Sequence, residues 1–274
     1  MSNHKLNILL VVASLTAASL SCSLPSSGIQ PNANPESTEN APANELPPGA
    51  PTESISQPPA TAPSGHCDNP LLPVKIGATW NYKLSGPYPD TFTRTIVSIE
   101  ESSFTDQDTF GSGTVRTGKW NCENGNLIAL NPSATASATV SSAGQTSEFT
   151  TTSQSGVTLP AIINSGDTWS QSTTIEGTNL ISGLTAQAKN EFTSNCTAEG
   201  IEAVTVPAGT FDAVKITCNT NMTITVQMEG ISPPPISMSG TTTSWYAPGV
   251  GWIKSLGTGE DVEYTIELTS YTIP

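Results

Sequence analysis

The chain has 274 residues and a strongly acidic balance, with 9 basic and 23 acidic side chains and a formal net charge of −14. A surface of this sign repels phosphate backbones, so we expect no nucleic-acid partner. Only two histidines are present, His4 and His66. His4 falls within the signal peptide predicted below, and His66 lies at the edge of the predicted linker, so we expect no Ser-His-Asp or Cys-His catalysis in its usual form.

The N-terminus has the layout of a bacterial export signal. A short basic start that ends at Lys5 precedes an apolar stretch from Leu6 to Leu20, which is too short to span a bilayer. Residues 19–22, Ser-Leu-Ser-Cys, resemble a lipobox, although that pattern prefers Leu three places before the cysteine and Gly or Ala directly before it. We predict a signal peptide over residues 1–21 and a lipid on Cys22, which would anchor the protein to the membrane outside the cytoplasm. The alternative is cleavage after Ala18, which would leave Cys22 as a free thiol in a secreted chain.

Residues 23–65 are typical of a disordered linker. They contain ten prolines and four glutamates but no lysine, arginine or aromatic residue, so they have little apolar surface to bury. With residues 1–21 removed, one lysine is lost and no acid, which leaves 8 basic and 23 acidic residues and a net charge of −15. We predict that residues 22–65 form a lipidated tether and that residues 66–274 form a single β domain.

Alternation of apolar and polar residues indicates an all-β fold for this domain. It is clearest in residues 262–269 and 222–229, where the residue class changes at every step. We therefore predict an antiparallel, strongly curved sheet, either a half-barrel or a sandwich. Weaker strands are expected at 79–84, 92–101, 114–121, 136–152, 168–176, 186–195, 201–206, 211–219, 236–246 and 250–256.

Turn residues separate several of these strands. Asn124-Gly125 favours a tight hairpin, and Pro207-Ala208-Gly209 and Pro248-Gly249 favour turns between β-branched or aromatic runs. For the second turn we predict a hairpin that pairs Val206 with Phe211.

Two phrases suggest an internal repeat. Leu72-Pro73 followed by residues 77–80, Gly-Ala-Thr-Trp, is echoed by Leu159-Pro160 followed by residues 166–169, Gly-Asp-Thr-Trp. If the repeat is genuine, the domain consists of two similar halves. The alternative is that the echo reflects two unrelated strand starts.

Four cysteines remain after Cys22, an even number for an exported chain. The hairpin that turns near residue 208 brings Cys196 opposite Cys218 if a bulge intervenes, so we predict a disulfide between them. The second predicted disulfide then joins Cys67 to Cys122. A metal site that uses His66 and Cys67 lacks ligands.

No segment predicts catalytic or metal chemistry. Residues 106–111, Asp-Gln-Asp-Thr-Phe-Gly, resemble the start of a calcium loop, but Phe110 and Thr117 replace two ligands. We interpret the acidic pairs at 100–101 and at 261 and 263 as surface charge. The five tryptophans are interpreted as core, with a sugar platform or an apolar pocket as alternatives. We predict no catalytic residue, no metal ion and no cofactor.

Three longer phrases, at residues 72–82, 206–216 and 245–254, resemble the TapB-like group of bacterial envelope proteins, many of which are lipoproteins. The resemblance implies an extracytoplasmic β domain and brings no catalytic residues. Within these phrases the turn glycines and the large side chains beside them are predicted to be structural. These residues are Gly209, Phe211, Trp245, Gly249 and Trp252.

The sequence therefore favours a non-enzymatic lipoprotein, tethered outside the cytoplasmic membrane, that binds an envelope component or supports an envelope assembly. Its partners would be the membrane, through the lipid anchor, and an envelope protein, glycan or lipid. Two alternatives remain open. One is a carrier of lipid or another apolar ligand in a β cavity. The other is a glycan-active enzyme that uses the sparse acids.

Overall fold

A computed structural model describes residues 66–131, 139–142, 145–181, 184–228, 232–259 and 262–274. The predicted signal peptide, Cys22 and the tether lie outside these residues. The described part of the chain forms strands and turns, and no helix within it is long and apolar enough to cross a membrane.

Thirteen strands form one antiparallel sheet across the described residues. In chain order they are β1 (Thr79–Ser85), β2 (Asp90–Ile99), β3 (Ser103–Phe110), β4 (Val115–Glu123), β5 (Asn126–Ala129), β6 (Thr139–Ser142), β7 (Gln145–Gly156), β8 (Thr168–Ile181), β9 (Leu184–Val206), β10 (Gly209–Met228), β11 (Ile236–Ala247), β12 (Gly251–Gly259) and β13 (Val262–Thr272).

The sheet curls into a nearly closed, barrel-like ring. Its order is β3-β2-β1-β13-β12-β11-β10-β9-β8-β7-β6-β4-β5, and β3 also pairs with β4. Strand β4 can close the ring because its second edge is shared, with β6 beside its first residues and β5 beside its last. The all-β, antiparallel and strongly curved fold is therefore confirmed, and the ring closes further than a half-barrel.

Three strand predictions are wrong in their bounds, and β3 and β5 were not predicted. The described residues of the strand expected at 136–152 belong to two strands, β6 and β7. The separate strands expected at 186–195 and 201–206 are one continuous strand, β9, and those at 211–219 and 222–229 are one strand, β10. The predicted pairing of Val206 with Phe211 is also wrong, because Val206 pairs with Gly209 across a two-residue turn. A bulge at Lys215 and Ile216 then shifts the register by one residue.

The main core fills one end of the ring, which we call the core end. Trp80, Phe104, Leu127 and Ile253 are almost fully buried there. Two connecting segments, residues 66–78 and 157–167, add buried side chains to the same core. These side chains are Leu71, Leu72, Leu159 and Ile163. Cys67 is bonded to Cys122 at this end, so the first described residues are fixed to β4.

The two phrases of the suggested repeat have the same backbone pattern. Gly77 and Gly166 both have positive φ, at 77° and 90°. The N–H of Gly77 donates to the carbonyl oxygen of Ile96 in β2 at 3.0 Å, and the N–H of Gly166 donates to the carbonyl oxygen of Ala198 in β9 at 2.8 Å. Both glycines therefore precede a strand that starts in the same way, and the division of the domain into two halves stays a prediction.

Candidate functional site inside the sheet

Four charged side chains meet on the inner face of the sheet. Arg94 of β2, Asp106 and Asp108 of β3, and Arg116 of β4 are brought together because Arg94 pairs with Asp108 and Asp108 pairs with Arg116 in the strand register. We call these four residues the ionic cluster. Asp106 and Asp108 are each only 7% exposed, so the cluster lies within the fold.

The strongest contact in the ionic cluster is a two-bond pair. The Arg94 guanidinium donates from Nε to Asp108 Oδ1 at 2.8 Å and from Nη2 to Asp108 Oδ2 at 2.9 Å. Arg94 Nε also lies 3.6 Å from Asp106 Oδ2, and Arg116 Nη2 lies 3.6 Å from Asp108 Oδ2. Two arginines and two aspartates therefore compensate each other, and Asp108 is at the centre.

Burial and charge act in opposite directions on the two aspartates. Burial disfavours the ionised form of Asp108, but Arg94, through its charge and its hydrogen bonds, and Arg116 hold the pKa of Asp108 below its ordinary value. For Asp106, burial prevails and raises the pKa, although Arg94 and a hydrogen bond from Trp120 offset part of the rise. Asp108 is thus the firmly ionised member of the pair.

Aromatic rings enclose the ionic cluster. Arg94 lies over the ring of Trp252 at 5.4 Å from its centroid, and Arg116 lies over Phe110 at 4.2 Å. The Tyr82 ring is 4.8 Å from Trp252, and its hydroxyl donates to the Trp252 carbonyl at 2.7 Å. Burial raises the pKa of Tyr82. These contacts keep the charged groups in fixed positions.

Gly118 makes room for Asp106. A Cβ placed on Gly118 would lie 2.3 Å from Asp106 Oδ1. Gly118 lies opposite Asp106 in the register, and because glycine has no side chain, the Asp106 carboxylate can lie against β4.

Residues 106–111, which resemble the start of a calcium loop in sequence, do not form such a loop in the structure. Most of this segment belongs to β3, and both aspartates face arginines instead of forming a loop. No group of three or more potential metal ligands occurs among the residues that the structure describes. Glu100, Glu101 and Glu263 are exposed, and Asp261 lies outside the described residues.

The predicted turn and anchor residues lie mostly away from the ionic cluster. Gly209, the first residue of β10, and Gly249, between β11 and β12, have positive φ. Phe211 packs edge-on against Tyr271, and Trp245 donates to Glu202 at 2.6 Å. Of the five, only Trp252 contacts the cluster.

The two disulfides in the structure join Cys67 to Cys122 and Cys196 to Cys218. These are the pairs that the sequence analysis proposes. Cys196 faces the interior with Ala198, and Cys218 is partly buried beside the core. Each bond links elements at or near the core end.

A second inner surface extends beyond the core, and sequence reasoning missed it. In β10 and β11 the inward positions beyond the Thr220–Gly240 pair carry large apolar side chains, while Ser237 and Ser239 on the outer face are exposed. We call these residues the inner strip: Met222, Ile224, Val226, Ile236 and Met238. Their register pairs place them on one face with Phe192 and Ala188 of β9.

The inner strip is only half-buried, whereas the same face of β10 is fully buried at the core end. Ile216 and Val214 of β10 are 3% and 5% exposed, but Ile224 and Val226 keep intermediate exposure. Apolar surface on the inside of a ring is shielded from flat partners but remains accessible to a narrow ligand. The inner strip therefore has the chemistry of a binding surface.

Comparisons with known proteins identify the fold but no activity. The DUF3108-like family model matches residues 109–273. A crystal structure of a candidate lipoprotein from Parabacteroides distasonis ATCC 8503 is similar, with a TM-score of 0.50 at 16% identity, and covers 74% of this chain and 99% of its own. No curated protein matches the sequence.

Two further crystal structures are more distant. A candidate exported protein with a YmcC-like fold from Bacteroides fragilis NCTC 9343 has a TM-score of 0.47 at 14% identity, over 74% of this chain and 98% of its own. The hypothetical lipoprotein YmcC from Escherichia coli K12 has a TM-score of 0.35 at 12% identity, over 73% and 86%.

Proposed function

We propose that this protein, which belongs to the DUF3108-like family, is a non-enzymatic lipoprotein outside the cytoplasmic membrane whose β domain holds an apolar envelope molecule. The observation that carries the proposal is the half-buried inner strip on the concave side of the ring. Residues 1–21 would be removed, Cys22 would carry the lipid, and residues 23–65 would separate the domain from the membrane. The three phrases at 72–82, 206–216 and 245–254 motivate a finer grouping with the TapB-like proteins.

Several observations support an extracytoplasmic location. Both disulfides are compatible with an oxidising compartment and would be reduced in most cytosols. A similar structure is that of a candidate lipoprotein. With so little basic charge, membrane attachment would depend on the acyl chains and not on lysines.

The geometry gives less support to the glycan-active alternative. Both inward carboxylates of β3 face arginines, and Asp108 accepts hydrogen bonds at both of its oxygens. A glycosidase needs one carboxyl group free to donate a proton and another free to attack or to activate water. The ionic cluster instead stabilises the wall of the ring.

The anchor is tested by the variant Cys22→Ser. We expect the wild-type full-length chain to appear in the membrane fraction and the variant in the soluble fraction, because acylation needs the thiol. Cell fractionation followed by immunoblotting measures the distribution. As a control, a chain with both Cys67→Ser and Cys122→Ser should stay with the membrane. If Cys22→Ser remains there as well, the lipid anchor is refuted.

Binding at the inner strip is tested with an apolar fluorescent probe, N-phenyl-1-naphthylamine. The full-length Cys22→Ser chain should bind it saturably, and adding Met238→Asp should weaken binding by about tenfold or more, because a carboxylate would be buried against apolar side chains. The matched control, Ser239→Asp, places the same charge one residue away on the outer face and should bind like the parent.

Circular dichroism verifies that each of these chains folds, and the milder Met238→Gln replaces any that does not. The proposal is contradicted if the parent shows no saturable binding, or if the inner and outer substitutions weaken binding equally.

A further inference from the structure

One buried polar atom lies beside the inner strip without a partner. Asn190 of β9 is 4% exposed, and its Oδ1 makes no hydrogen bond within the described structure. The register places Asn190 between Ile175 of β8 and Ile224 of β10, on the inner face. A buried acceptor without a hydrogen-bond donor lowers the stability of the folded state, so a donor on a bound ligand would be stabilising.

Two neighbouring polar side chains on this inner face are already satisfied, whereas Arg116 Nε in the ionic cluster also has no partner within the described structure. Gln171 donates to the carbonyl of Ala129 at 2.7 Å. Ser194, four residues along β9, shares a hydrogen bond of 3.3 Å with Thr220. Asn190 differs from them, because its neighbours across the sheet are isoleucines that can neither donate nor accept.

The surroundings of Asn190 restrict the ligand to one chemical class. Ile224 and the rest of the inner strip offer apolar contact along the strands, and two methionines can adapt to a flexible chain. Inside the ring, Arg94 and Arg116 both lie beside Asp108, so an anionic head group would have to compete with that carboxylate for either arginine. A neutral hydroxyl or amide N–H satisfies Asn190 without bringing a charge into the fold.

We infer that the interior binds a single-chain amphiphile whose apolar chain lies along the inner strip and whose neutral N–H or O–H donates to Asn190 Oδ1. This inference rests on the proposed function, because it specifies the ligand of the same surface. It assigns Asn190 as the residue that selects ligands with a donor.

The inference is tested with two probes that differ in one donor, N-dodecylacetamide and N-dodecyl-N-methylacetamide. Both have the same apolar chain, but only the first has an N–H. Their affinities for the full-length Cys22→Ser chain are measured by displacement of N-phenyl-1-naphthylamine. We expect the N–H probe to bind about tenfold more tightly than its methylated analogue.

In the same chain, Asn190→Leu should bind both probes with nearly equal affinity, because the acceptor is gone while the apolar contacts remain. The matched control is Asn195→Leu, which changes an exposed asparagine on the outer face of the same strand and should keep the tenfold difference. If neither probe binds the parent, the proposed function fails. If both bind the parent equally, or the difference persists in Asn190→Leu, the assignment of Asn190 is wrong although the binding surface stands.

Discussion

Replacing Asp108 with asparagine should lower the free energy of unfolding by about 3 kcal/mol at pH 7, because the change leaves two arginines inside the fold beside a neutral amide. Asp108 receives both hydrogen bonds from Arg94 and lies 3.6 Å from Arg116. Urea unfolding followed by tryptophan fluorescence measures the loss.

The matched control is Asp106→Asn on the same strand and the same face. Asp106 is already disfavoured as an anion, since burial raises its pKa, so neutralising it should cost less than about 1 kcal/mol. An asparagine can still accept the hydrogen bond from Trp120. Equal losses in Asp106→Asn and Asp108→Asn would contradict the central position of Asp108.

The two aspartates should also respond to pH in opposite senses. The stability that Asp108 contributes through its lowered pKa is present above about pH 3.9 and is lost as pH falls through the folded value. For Asp106, with a raised pKa, the contribution is present below about pH 3.9 and is lost as pH rises through the folded value. Relative to the wild type, the free energy of unfolding of Asp106→Asn should therefore rise as the pH increases from about pH 3.9 through the folded pKa of Asp106.

Substituting Gly156 with alanine should destabilise the fold by about 3 kcal/mol, through crowding and through backbone strain. Gly156 ends β7 with a φ of 77°, and a Cβ there would lie 2.0 Å from the carbonyl oxygen of Ser170 in β8. Backbone atoms cannot turn aside as a flexible side chain can, so the two strands would have to separate.

Gly166→Ala separates the two causes. Gly166 also has positive φ, at 90°, but no atom lies within 4 Å of its added Cβ. That variant should therefore lose only about 1 kcal/mol, from strain alone. The same urea titration measures both variants, and equal losses would show that the approach to Ser170 is unimportant.

The all-β class and the hairpins were predictable because their signals are local. Asn124-Gly125 specifies a tight turn, and both residues have positive φ in the structure. The closure of the ring was not predictable in the same way. It depends on β3, whose aspartates interrupt the apolar pattern that marks an inward face, and on the four-residue strand β6, which pairs with β4.

The inward direction of the charged residues in the ionic cluster could have been predicted from the sequence pattern of β2 and β3. Along β3, Phe104 and Phe110 share the parity of Asp106 and Asp108, so large apolar residues flank the charges on the same face. In β2, Phe92 and Ile96 flank Arg94 in the same way. Parity thus indicates that the charges point inward. Which arginine contacts which aspartate depends on the strand register, and no local pattern in the sequence indicates that register.

The inner strip was harder to predict because serine and threonine occupy both faces of the long strands. In residues 236–239, Ile-Ser-Met-Ser, the alternation is clear, but nothing local tells whether the apolar face is packed or open. That difference depends on how far β9 and β10 extend beyond the core end. Only the assembled ring reveals it.

Closing the ring through β3 and β4 also determines how neighbouring copies of the protein can meet. Exposed strand edges template pairing with other chains, and this risk rises with local concentration. Anchored lipoproteins are concentrated in two dimensions, where domains collide often. Strands β8 to β11 each have a neighbouring strand on both sides, although parts of them, such as residues 200–206 of β9 and 236–240 of β11, pair on one side alone in the strand registers. For a chain anchored through Cys22, as we propose, the closure would limit edge-to-edge association at high density on a membrane.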